Sequence, residues 1–237
     1  MHRIRAITLD LDNTLWAIDP VIRRAETALW DWLGEQYPNI PAMFAPEALL
    51  EMREAVVGEF RDKGHDFRFL RKKVLERVAL HAGYTTDLVD PAFEVFDRAR
   101  NEVELFPDVQ PGLDQLAAKF KLVALTNGNA NLEVIGIRHL FEDVVAAAEV
   151  GFAKPSREIF AEAVLRCGCS SEEILHVGDH PETDVNGARK AGLSTAWINR
   201  NAEPWPDELP EPDAVISSIP ELLELLESAA GKNGGGK

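Results

Sequence analysis

Short apolar runs that each stop at a polar or acidic residue recur along this chain, with helical segments between them. Ile4 to Leu9 runs into Asp10, Leu122 to Leu125 into Thr126, and Ile174 to Val177 into Gly178-Asp179; Val144 to Ala148, Thr195 to Ile198 and Ala214 to Ile216 are further runs of strand length. Between them, Pro111 to Lys119, Leu132 to Phe141, Pro155 to Arg166, Val185 to Ala191 and Glu221 to Leu226 have helical character. Such alternation specifies an α/β fold, a doubly wound parallel sheet with helices on both faces and right-handed crossovers. Open sheets of this kind bind ligands at the C-terminal ends of their strands, where the polar residues fall here.

One long segment interrupts the alternation. Val21, Ile22, Ala25, Leu29, Trp32 and Leu33 mark one face of a helix. Further helices are expected from Pro46, from Phe67 to Ala82 with Gly83 as its cap, and from Pro91 to Val103. No strand pattern intervenes, so residues 16–105 read as an inserted all-helical domain, residues 1–15 and 106–228 as the α/β core, and residues 229–237 as a glycine-rich flexible tail.

The chain of 237 residues is 46% hydrophobic, enough for a sizeable core. No apolar run approaches the roughly 18 residues of a membrane span, and no signal-peptide pattern follows the basic start, so a cytoplasmic protein without membrane contact is expected. The net charge of −15 argues against nucleic acid as a partner. A small anionic substrate stays open, because screening over about 8 Å makes the local site outweigh global charge. Cys167 and Cys169 are too few and too close for a metal site or an unstrained disulfide and read as free thiols.

Asp10 and Asp12 are two residues apart, so in an extended stretch they project to the same side. At a separation of about 4 Å they repel by roughly 4 kcal/mol in a partly screened site. A fold retains such a pair with a cation, a shared proton or exposure to water. Thr126-Asn127-Gly128 combines a hydroxyl, an amide and a glycine that permits close backbone approach, which suits anion binding as well as a simple turn. Lys154, before Pro155, is either a surface lysine or a charge that offsets carboxylates and grips phosphate. Asp179 ends a strand and supplies a hard oxygen ligand suited to Mg²⁺; Asp184 is either a further ligand or an acid at a helix start.

Taken in order, Asp10-Leu-Asp12-Asn-Thr-Leu, Thr126-Asn-Gly, Lys154-Pro and Gly178-Asp179 through Asp184 resemble the four motifs of the haloacid dehalogenase superfamily. The resemblance covers the chain apart from its tail. It implies a Rossmann-like core, with the insert as a type-one helical cap. Within the superfamily the chain most resembles bacterial phosphatases of phosphorylated flavin precursors and flavin mononucleotide.

That resemblance implies roles. Asp10 is the nucleophile, Asp12 the general acid and base, and Thr126 and Lys154 hold the phosphoryl group. Mg²⁺ is held by Asp10, the Asp12 carbonyl and Asp179, with Asp184 as a direct or indirect ligand. Asn127 and Gly128 lie against the substrate, and so does Trp16 if it shields the site rather than packing in the hinge. Dehalogenases of the superfamily lack the second aspartate, so Asp12 favours phosphate-ester hydrolysis; a dehalogenase, a phosphomutase or a non-catalytic binding protein are the alternatives.

In the cap, Arg68 and Arg71 stand beside Phe67 and Phe69 in a basic stretch and are expected either to read the leaving group or to lie on a solvated helix face. Closure of the cap about Trp16–Pro20 and Val103–Pro107 is expected to exclude water. The partner is a small phosphorylated metabolite, and the protein a monomer or homodimer.

Overall fold

In a computed structural model that describes residues 4–231, six parallel strands form one sheet. They are β1 (Ala6–Leu9), β2 (Lys121–Thr126), β3 (Asp143–Ala146), β4 (Ile174–Gly178), β5 (Ser194–Ile198) and β6 (Ala214–Ile216). Their order is β3-β2-β1-β4-β5-β6. All four residues of β1 are buried, as a central strand covered on both faces requires. Leu9 pairs with Ala124 on one side and Val177 on the other, so β2 runs two residues and β4 one residue beyond the end of β1. The strand order reverses across β1 and β4, and the crevice at such a switch point opens at the residues that follow these strands.

The described chain divides into two units: residues 4–17, 104–128 and 136–231 form the sheet-bearing unit, and residues 18–103 with 129–135 the helical one. The first carries the helices α6 (Val109–Ala117), α8 (Ala147–Val150), α9 (Arg157–Cys167), α10 (Gly187–Lys190) and α11 (Ile219–Gly231). Val123, Leu125 and Val145 pack with Ile159, Phe160 and Ala163 in one of its cores. Cys167 and Cys169 are free thiols.

The helical unit contains α1 (Ile18–Gln36), α2 (Asn39–Met43), α3 (Pro46–Glu59), α4 (Phe67–His81), α5 (Val89–Arg100) and the short α7 (Leu132–Ile135). Ala25, Leu29, Leu33, Leu70, Val74, Val78, Phe93 and Phe96 form its core, the apolar side of an amphipathic helix set. No described helix is long and apolar enough to cross a membrane.

Several local expectations are corrected. The helix expected over Leu132 to Phe141 stops at Ile135, because Gly136 turns the backbone to φ +93°. Residues 129–135 group with the helical unit rather than the core, since Asn131 donates its backbone N–H to Asn101 Oδ1 at 2.7 Å and Asn129 Nδ2 reaches Asp97 at 3.3 Å. The helix expected from Pro155 begins at Arg157. The one expected from Val185 is preceded by a π-helical segment, Pro181–Asn186. Helix α11 runs on to Gly231, into the expected tail; residues 232–237 of that tail lie outside the described residues.

Candidate active site

The chain leaves β1 and turns sharply. Thr14 and Leu15 donate their N–H groups to the Leu11 carbonyl at 3.2 and 2.8 Å, and Asn13 donates to the Trp16 carbonyl at 2.7 Å. Asn13 takes φ +60°, a conformation that asparagine tolerates better than most residues. This tight loop presents Asp10 and Asp12 beyond the strand end. Asp10 itself is still registered against β4, its N–H donating to the Val177 carbonyl at 2.9 Å.

Around Asp10 the fold gathers groups from distant parts of the sequence. Lys154 Nζ donates to Asp10 Oδ1 at 2.5 Å and to Asp184 Oδ1 at 2.7 Å. Asp10, Lys154 and Asp184 are buried. Thr14 Oγ1 donates to Asp10 Oδ2 at 3.2 Å. Asp179, the first residue past β4, brings a third carboxylate: oxygens of Asp10, Asp179 and Asp184 all lie within 4.8 Å of one another. Three carboxylates against one ammonium leave surplus negative charge, and the donors are all hard oxygens. This set suits a hard divalent cation.

The protonation equilibria show the same surplus. Burial, reinforced by Asp184 and Asp179, outweighs Lys154 and pushes the Asp10 carboxyl up to about 8. Burial and the Asp184 charge raise Asp179 to about 6. For Asp184 burial acts in the same direction, but Lys154 and His176 overcome it and hold the carboxyl below its ordinary range. Burial lowers Lys154, yet Asp10 and Asp184 prevail and keep its ammonium charged beyond the usual lysine pKa.

The remaining expected residues fall into place differently. Trp16 is fully buried; its indole Nε1 donates to Asp12 Oδ1 at 2.9 Å. It props Asp12 rather than facing a substrate. Asn127 spends both ends of its amide on the backbone of Lys154, donating to the carbonyl at 3.0 Å and accepting the N–H at 2.7 Å, so it positions Lys154. Gly128 donates its N–H to Thr126 Oγ1 at 2.9 Å. With that lone pair engaged, the buried Thr126 hydroxyl is oriented to donate elsewhere. Asp184 is a buried member of the carboxylate cluster, not a helix-end acid on the surface. In the helical unit, Arg68 pairs with Asp97 at 3.8 Å, while Arg71 donates to Glu26 at 3.0 Å with its guanidinium 3.4 Å over the Phe96 ring.

Sequence reasoning missed three supports. His176 on β4 is buried between Thr8 Oγ1 (2.8 Å from Nδ1) and Asp184 Oδ1 (3.2 Å from Nε2). An ionised carboxylate only accepts, so Nε2 carries the proton and Nδ1 accepts from Thr8. Burial lowers the pKa of this imidazole. Its signal was a polar residue in mid-strand. Trp197 Nε1 donates to the Asp179 carbonyl at 2.6 Å, and Arg200 donates from Nε and Nη2 to the Thr14 carbonyl at 3.0 and 2.9 Å. Neither carries a sequence mark of its partner, over 18 and 186 residues of separation.

Residues 4–192 match the family of haloacid dehalogenase-like hydrolases. A 5-amino-6-(5-phospho-D-ribitylamino)uracil phosphatase of Escherichia coli is 32% identical over 95% of this chain and 98% of its own length. A glyceraldehyde 3-phosphate phosphatase of Methanopyrus kandleri is 33% identical over 96% of this chain and 99% of its own. The crystal structure of a 2-haloacid dehalogenase from Pseudomonas syringae pv. Tomato DC3000 superposes with a TM-score of 0.90 at 39% identity, covering 95% of this chain and 99% of that one. With the four motifs assembled at the C-terminal edge of one sheet and the match running over residues 4–192, the chain belongs to the haloacid dehalogenase-like hydrolases.

Proposed function

We propose that this protein is a Mg²⁺-dependent phosphatase that hydrolyses a small phosphate monoester through an aspartyl-phosphate on Asp10. The observation that carries the reading is the pairing of the Asp10–Lys154–Asp179–Asp184 cluster with a second aspartate, Asp12, fixed by Trp16. Mg²⁺ would be held by Asp10, Asp179 and the Asp12 carbonyl, with Asp184 as a further or indirect ligand. When bound, it supplies charge neutralisation between the phosphoryl oxygens and the attacking carboxylate.

In the first step an Asp10 oxygen bonds to phosphorus as the ester P–O bond breaks, and Asp12 gives its proton to the leaving alkoxide. In the second, water attacks phosphorus, Asp12 takes its proton, and the Asp10–phosphorus bond breaks to release phosphate. Acid–base help of this kind contributes about 10²–10⁴-fold. Lys154 and the Thr126 hydroxyl hold phosphoryl oxygens throughout. Of the two cap arginines, Arg68 has its side chain about half exposed and pairs with Asp97, and the Arg71 guanidinium is engaged by Glu26. The likeness to a phosphatase acting on a phosphoribitylamino pyrimidine favours a phosphorylated flavin precursor, or flavin mononucleotide, as substrate.

A second reading, dehalogenation, has the Pseudomonas syringae structure in its favour. Asp12 weighs against it, since a halide leaving group needs no proton. The deciding experiment compares phosphate release from p-nitrophenyl phosphate, an alkyl phosphate and flavin mononucleotide with chloride release from 2-chloropropionate. Each is run with Mg²⁺, with chelator and with Asp10→Asn. Metal-dependent phosphate release lost in Asp10→Asn is expected. Asp12→Asn should slow the alkyl ester far more than the nitrophenyl ester, whose leaving group needs little protonation. Chloride release without phosphate release would make the protein a dehalogenase, and neither activity would favour a non-catalytic binding protein.

A further inference from the structure

The helical unit contains a cavity of about 300 Å³ that the reaction above does not use. It opens between α1, α3 and α4, and its walls are apolar, with Leu29, Leu33, Val56, Leu70, Val74 and Val78 among them. Phe67 and Val57, both about half exposed, also line it. Packed helical cores seldom keep voids larger than a water molecule. A volume of this size is at the lower end of the range of small-molecule pockets.

Three charged residues line it: Glu26, Arg53 and Arg71. Glu26 Oε1 accepts from both arginines, Arg53 Nη2 at 2.7 Å and Arg71 Nη2 at 3.0 Å. Two guanidiniums on one carboxylate oxygen leave a formal charge of +1 beside apolar walls. Burial accordingly lowers the Arg71 pKa, and the Arg53 charge adds to this against the opposing pull of Glu26. A neighbouring groove shares Glu26, Trp30, Leu49 and Arg53 and adds Thr27, Asp31 and Leu50, whereas Arg71 lines the cavity alone.

A ligand that satisfies both features has an apolar body and a single anionic head. Guanidiniums match the two oxygens of a carboxylate in a fork geometry. We propose that the helical unit holds a binding site for an amphipathic monocarboxylate of medium-chain fatty-acid type. Its tail lies among the Leu and Val side chains, and its head is taken by Arg53 and Arg71 in competition with Glu26.

Calorimetric titration of the full-length protein tests this, with decanoate below its micellar concentration and with decanol and decylamine as comparators. Saturable binding of one decanoate per chain is expected, with decanol weaker by about tenfold, the worth of a charge-assisted hydrogen bond. Arg53→Gln should bring decanoate down to the decanol level, and its side chain is exposed enough for folding to survive. Val56→Phe, checked by thermal melting, should weaken decanoate and decanol alike by filling the cavity. Absence of saturable binding to the parent protein, undiminished decanoate binding in Arg53→Gln, or decylamine binding as tightly as decanoate would each overturn the proposal. The readout is binding alone, so the outcome is independent of whether the protein proves to be a phosphatase.

Discussion

Gly178 and Asp184 approach so closely that a methyl group on Gly178 would stand 2.3 Å from Asp184 Cγ and 2.5 Å from its Oδ2. The glycine at the end of β4 therefore sets where the Asp184 carboxylate lies. That carboxylate in turn accepts from Lys154, from His176 and from the His180 N–H at 3.0 Å. Gly178→Ala is expected to displace it and, through Lys154, to misplace Asp10. An ångström of misplacement costs about 10²-fold in rate, which steady-state assays will show. Parental activity in a folded Gly178→Ala protein would mean that the position of Asp184 does not matter.

Lys154 is the ammonium that pairs the buried Asp10 and Asp184. Lys154→Met leaves both carboxylates without it, and breaking a buried pair in this way costs about 3–5 kcal/mol. The sign with pH follows from the carboxylates, because the raised folded-state pKa of the lysine leaves its own contribution unchanged at neutral and acid pH. Its stabilisation is complete below the unfolded value of about 10.4 and is lost as pH rises through the folded one. In Lys154→Met the unpaired carboxylates protonate more readily, so the deficit in melting temperature should narrow from pH 8 towards pH 4. A deficit constant over that interval would show that charge is not its cause.

Arg200 ties the nucleophile loop to the starts of α6 and α11. Besides the Thr14 carbonyl, it donates to Asp108 at 2.8 and 3.2 Å, and Asp108 also accepts the Ile219 N–H at 2.9 Å. Burial alone would raise the Asp108 carboxyl, but the Arg200 and Ile219 hydrogen bonds hold it below its ordinary value. A depressed folded pKa stabilises above the unfolded value of about 3.9, and this contribution is lost as pH falls through the folded one. Asp108→Asn should therefore melt lower than the parent at pH 7, with the gap closing towards pH 3. Arg200→Lys should lower kcat more than it raises KM, because it loosens the loop that carries Asp10 and Asp12.

Surplus negative charge in the site predicts stabilisation by a divalent cation. Mg²⁺ at about 100 times its dissociation constant should add about 2.7 kcal/mol to stability. Differential scanning fluorimetry will show this as a rise in melting temperature that chelator reverses and Asp179→Asn removes. An equal rise in Asp179→Asn would place the ion elsewhere.

Strand ends and helical periodicity are local properties, so the sequence alone revealed the parallel α/β core, the helical insert, and Asp10, Thr126, Lys154 and Asp179 as residues at strand ends or loops. The order of the motifs further identified the family. What the sequence could not determine is partnership, which depends on contacts across long separations. Nothing near Arg200 points to Thr14, nothing near His176 to Asp184, and Trp16 reads either as a shield over the site or as packing in the hinge. Only the close packing of β1, β4 and the loops beyond them decided these cases, because in a buried interior each donor must find an acceptor wherever the fold has brought one.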